Sequence, residues 1–140
     1  MADVVVTSSD VRPPASARLS NGTAGEAVSA GDFLYYKSDL LWWKADCLSL
    51  ENSGGMDPNL LKIAMCSAVA GQSISLLNPN QIMTMNAGLT KGIYVISKTA
   101  GGGKIMPPSD LVATNILAEA GYAISTTQFY FGPVKSGVVI

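Results

Sequence analysis

The chain has 140 residues, enough for one domain that buries roughly 68–70% of its unfolded surface without metals or disulfides. Apolar residues make up 48% and charged residues only 14%, against roughly 25% charged in an average soluble domain, so part of the surface is expected to be covered by a partner. Nine basic residues against ten acidic ones, a net charge of −1 and no basic stripe exclude the footprint of a nucleic-acid binder.

In chain order, Met1-Ala2-Asp3-Val4-Val5-Val6 carries no basic n-region and no apolar run of signal-peptide length. The longest apolar stretches, such as Ile63–Cys66, fall far short of the ~20 residues of a membrane span. A soluble product made in the cytoplasm is expected. Residues 1–22 read as an extended arm: Thr7–Asp10 is polar, Val11-Arg12-Pro13-Pro14 favours extended or polyproline geometry, and Ala15–Leu19 has no period. A disordered tail and a strand that reaches a neighbouring subunit through Val4-Val5-Val6 are both open. Asn21-Gly22 reads as a tight turn that ends the arm, leaving 23–140 as a single β domain.

Phe33–Lys37 and Leu40–Asp46, both rich in aromatic residues, flank a Ser38-Asp39 turn and predict a β-hairpin. Glu51–Pro58 is a surface loop. Leu60–Gly71 fits both helical spacing and broken alternation; the strand is favoured because Ala70-Gly71-Gln72 ends it and a further strand, Ser73–Leu77, follows. Gln81–Met85 alternates cleanly. The second half then echoes the first: placing Gly92 on Gly31 matches Val28 with Leu89 and Phe33 with Tyr94, and each Ala-Gly step reads as a backbone kink between strands. Thr99–Lys104 is a hairpin tip, Ile105-Met106 its return, and Val112–Ala120, Tyr122–Ser125 and Gln128–Phe131 are the last strands before a Val134–Ile140 tail. The fold class predicted is all-β, a small antiparallel barrel or sandwich with at most one short helix.

The residues offer little chemistry. There is no histidine, hence no common general base, zinc ligand or nucleophile activator. No serine sits in Gly-x-Ser-x-Gly. Gly101-Gly102-Gly103-Lys104 fails as a phosphate loop, since Lys98 stands at the first glycine position, Ile105 follows the lysine and no helix is predicted next. Asp32, Asp39, Asp46 and Asp57 read as turn caps, and no calcium-loop spacing is present. Cys47 and Cys66 read as two thiols rather than a disulfide. No catalytic residue, metal or cofactor is expected. Tyr35-Tyr36 and Trp42-Trp43 are the most distinctive cluster. Adjacent strand residues point to opposite faces, so one of each pair can fill the core while the other faces out, either as cover for a barrel end or as an interface anchor. An outward Trp-Tyr platform that stacks on sugars is a further option.

The stretch Ala24–Tyr35 resembles the opening of the small tailed-phage head proteins known as capsid decoration, or cement, proteins. Trp43-Lys44-Ala45-Asp46, Lys62–Leu76 and Gly88–Gly102 are similar to later steps of that family's pattern, and the likeness runs from about Ala24 to Ser125. Lys62 departs from it where a glycine is usual, the Leu48–Pro58 loop looks longer, and the arm lies outside it. The resemblance implies a β-barrel-type module, a homotrimer on the outer capsid surface of the virion. Its partner would be the major capsid protein, and its work would be to stabilise the head; no nucleic acid and no membrane are expected as partners. Val4, Val5, Val6, Val11, Arg12, Pro13, Pro14, Tyr36, Trp42 and Trp43 are the candidate interface residues. The alternative is a receptor- or glycan-binding module of a phage fibre or spike.

Overall fold

A computed structural model describes residues 3–139 apart from 15, 16, 56 and 86; the expectations for Met1, Ala2, Ala15, Ser16 and Ile140 fall outside the described residues. The fold is all-β. Ten strands form two five-stranded antiparallel sheets, and the helical turns among the described residues are short 3-10 segments. The first sheet holds β1 (Leu19–Thr23), β2 (Phe33–Tyr36), β3 (Trp42–Lys44), β4 (Leu61–Ala64) and β5 (Ser73–Leu77). The second holds β6 (Gln81–Thr84), β7 (Gly92–Ile96), β8 (Ile105–Met106), β9 (Ile116–Ala123) and β10 (Gln128–Val139).

The strand orders are β1-β5-β4-β2-β3 and β6-β10-β9-β7-β8, so adding five to each number of the first gives the second. The echo in the sequence is therefore a repeated topology. Loop hydrogen bonds repeat with it. Ala24 N–H donates to Gln72 C=O (2.9 Å) as Met85 does to Thr127 (2.8 Å), and Val28 donates to Ala68 (2.9 Å) as Leu89 does to Thr126 (2.8 Å).

The sheets are not closed into a barrel; they stack as a sandwich. Alternation turns Phe33, Tyr35, Leu61, Ile63 and Leu77 of the first sheet toward Met83, Ile96, Phe129 and Phe131 of the second, in one core cluster. Phe33 meets Phe129 and Phe131 edge-on at 6.0 and 5.9 Å between ring centroids. Such pairs add roughly 0.5–1.5 kcal/mol beyond the area they bury. The opposite face of the first sheet has its own small cluster, in which Ala24, Val28 and Ala68 from the loops cover Leu34, Trp42, Ala64, Ile74 and Leu76. There the end of β1 reaches β3 at a single parallel bridge, Ala24 to Trp42.

Four sequence expectations are corrected. Asn21-Gly22 is the middle of β1, paired with Ser75 and Ile74, and is no turn. Leu60–Gly71 is a strand only over Leu61–Ala64; the rest turns back toward β5. The two predicted strands Val112–Ala120 and Tyr122–Ser125 are one, β9, while Val112–Asn115 is a turn closed by Val112 N–H on Asn115 Oδ1 (3.0 Å). Val134–Val139 is no tail: β10 runs through Gly132-Pro133 at a register shift, where proline's missing N–H does no harm.

Candidate interaction surface

The arm lies along the second sheet. Val4 N–H donates to Ile105 C=O on β8 (2.9 Å), and the Asp3 carboxylate accepts from the Ser97 and Thr99 hydroxyls. Arg12 exchanges both backbone hydrogen bonds with Thr84 on β6 (2.9 and 2.8 Å). Val11 is buried, and Val4 and Val6 pack against the core from its margin. Val5 is 80% exposed, and Arg12 and Pro13 are exposed with Pro14 half-buried.

Of the aromatic candidates, Trp42 is buried at 6% and Tyr36 is half-buried on it, with ring centroids 5.0 Å apart. The face alternation holds: Tyr35 and its cross-strand partner Trp43 face the main core, and Tyr36 and Trp42 the opposite face. Trp43 is half-buried at the core margin, with Nε1 donating to Asp39 (3.1 Å) and the Lys37 ammonium 5.1 Å over its ring. Lys62 lies 5.7 Å over Trp42 and donates to Ser20 Oγ (2.9 Å); burial holds its pKa below the usual lysine value. With Trp42 buried, the pair Trp42-Trp43 presents no flat stacking platform.

One exposed apolar row comes together only through strand pairing. On the outer face of the second sheet, Ile82, Tyr130, Tyr122 and Ile93 stand directly opposite one another across β6, β10, β9 and β7. Ile82, Tyr122 and Ile93 are 42%, 47% and 50% exposed. The two tyrosine rings lie 5.1 Å apart, tilted by 33°, and the Tyr130 hydroxyl donates to Asn80 Oδ1 (3.1 Å). Three members of the row, Ile93, Tyr122 and Tyr130, also line a depression of about 320 Å³ together with Glu119, Pro133 and Val134. β6 has inverted polarity. Gln81 is buried, its amide answering Arg18 N–H and the Arg18 and Asn78 carbonyls, and Ile82 faces out. Apolar residues on the solvent phase of four strands were the signal available in the sequence, but only the pairing puts them in one row.

A second apolar groove lies at the β2–β3 hairpin, where Tyr36, Leu40, Leu50 and Leu60 gather. Leu40 sits there at φ +68° and 67% exposed. Chemical groups are sparse. No metal-ligating cluster is found among the described residues. Burial with Asp46 alongside pushes the Cys47 thiol up to about 11, and burial also raises the Tyr35 phenol. Cys66 is a free thiol that accepts from Ser75 N–H (3.4 Å). Among the described residues no helix is long and apolar enough to cross a membrane. No protein-family model matches the chain, and a search of curated proteins finds no match.

Proposed function

We propose that this chain is a structural decoration protein of a tailed-phage head. It docks on the major capsid protein through the outer face of its second sheet and braces the shell. The observation that carries the proposal is the row Ile82–Tyr130–Tyr122–Ile93, which runs across four paired strands on one outer sheet face. Tyrosines at the centre of such a patch are the residue type that anchors protein interfaces. The row is small against the roughly 800 Å² per partner of a standard interface, so neighbouring loops must share the contact. On a shell, one modest contact is multiplied by symmetric copies, and a homotrimer engaging several subunits gains by effective concentration. The sequence resemblance to cement proteins points the same way.

The test is cosedimentation of purified protein with expanded phage heads assembled without it. Saturable binding supports the proposal. No binding to heads, together with a specific hit on a glycan array, would replace it with the receptor-binding alternative.

A further inference from the structure

Each half of the sandwich has two sheet edges, and the halves treat them differently. In the first, the chain beyond β1 reaches β3 directly, with Gly25 N–H donating to Trp42 C=O (2.8 Å). In the second, the edge strands are β6 and β8, and the arm lies on both. Arg12 takes the Thr84 backbone of β6, and Val4 takes the Ile105 carbonyl of β8. Between these points Val6 and Val11 lie over Gly31, whose added β-carbon would stand 2.9 Å from each of their methyl groups. The second sheet is thus completed by a segment that precedes the whole first half. That segment is joined to β1 by residues 13–18, which begin with Pro13-Pro14.

We infer that residues 3–12 are an exchangeable arm: when copies assemble, the arm of one fills the edge slot of the next. The occupant is fixed by complementarity already present, because a second copy's arm brings the same carboxylate, the same backbone groups and the same valines. None of the arm-to-body contacts depends on which chain supplies the arm; only the path of the link changes. At home the link is drawn in, with Ala17 N–H donating to Pro14 C=O (3.1 Å); opened, its six residues span up to ~20 Å. Exchange keeps every arm-to-body contact and is tipped by whatever else the copies touch, which is the condition for swapping. Donation from each copy to the next is head-to-tail, and closes when the rotation forms a ring. This surface is distinct from the outer face of the second sheet, so the inference and the capsid proposal stand or fall separately.

The test uses the full wild-type chain. ¹³C-labelled and unlabelled protein are unfolded together, refolded and separated by size, and isotope-filtered NOEs are recorded on the oligomer. Cross-chain NOEs from the Val6 and Val11 methyl groups to the Gly31 α-protons are expected. Their absence, with the same NOEs present within one chain, overturns the inference, as does a protein that stays monomeric at its highest soluble concentration. A second measurement mixes Arg12→Cys chains with differently tagged Thr84→Cys chains, both in a Cys66→Ser background. These positions exchange both backbone hydrogen bonds, a spacing of about 5.5 Å between α-carbons that a disulfide can bridge. A covalent product joining the two tags is expected in the oligomer. If only the Arg12→Cys/Thr84→Cys double variant closes, and within single chains, the arm stays at home.

Discussion

Gly31→Ala and Gly71→Ala form a matched pair that isolates how firmly the arm is held. Gly31 and Gly71 sit at φ +96° and +85°, so a β-carbon strains either backbone by about 1–2 kcal/mol. Around Gly71 there is no atom within 4 Å of the added carbon, whereas at Gly31 it meets Val6 Cγ1 and Val11 Cγ2 at 2.9 Å. Only Gly31→Ala pushes on the arm. Val11 is 6% exposed, and uncovering such a side chain forfeits about 1.5–3 kcal/mol. Each backbone hydrogen bond between Arg12 and Thr84 adds about 1 kcal/mol when broken. An excess of about 2 kcal/mol for Gly31→Ala over Gly71→Ala therefore follows, or about 30-fold in the opening equilibrium. Amide hydrogen exchange reads it at Arg12 and Thr84, whose N–H groups are bonded to each other's carbonyls. The reading is the same whether the arm lies on its own chain or a neighbour. Equal exchange at these two amides in both variants would refute the account of the arm as a packed segment.

Phe129 is fully buried and edge-on to Phe33 and Tyr94, so Phe129→Ala should cost about 3–5 kcal/mol in urea unfolding. A loss under about 1.5 kcal/mol would contradict a core shared by both sheets. The buried Asp46 carboxylate accepts from Leu48 N–H (3.0 Å) and Gly101 N–H (2.9 Å). Asp46→Ala should therefore lose about 1–3 kcal/mol by orphaning donors in both halves; an unchanged denaturation midpoint would show the tie to be idle. Cys47 is an acid whose pKa rises from the ordinary 9.0 to about 11 on folding. Its contribution is complete below the unfolded value and is lost as pH climbs toward the folded one. Stability should fall between these two values, and Cys47→Ala should flatten that limb. Parallel curves for the two proteins would contradict it.

Locally written features were legible in the sequence. The Phe33–Lys37 and Leu40–Asp46 runs form the β2–β3 hairpin, and the Val28-to-Leu89 match reappears as equivalent loop hydrogen bonds. Features set by distant contacts were not. Asn21-Gly22 reads as a turn, yet glycine stands in β1 because the Trp42 ring lies over it, 2.5 Å from where a β-carbon would be. Gly121 reads as a break between strands but is a close approach, its β-carbon position falling 1.9 Å from the Tyr130 carbonyl oxygen. The Tyr-Trp cluster reads as an interface, whereas Trp42 is buried in the cluster on the outer face of the first sheet. The exposed row is not written locally, because its four members stand on four separate strands that only the sheet pairing brings into line.

Docking through that row is tested most directly by comparing wild-type protein with the Ile93→Ser/Tyr122→Ser double variant in binding to expanded heads. Both side chains are about half exposed, so covering the remainder is worth about 1–2 kcal/mol each. Their loss should weaken binding by about 30-fold or more, compared under conditions where circular dichroism shows both proteins folded. Isotherms that superimpose within about threefold, less than 1 kcal/mol apart, would contradict docking through the outer face of the second sheet.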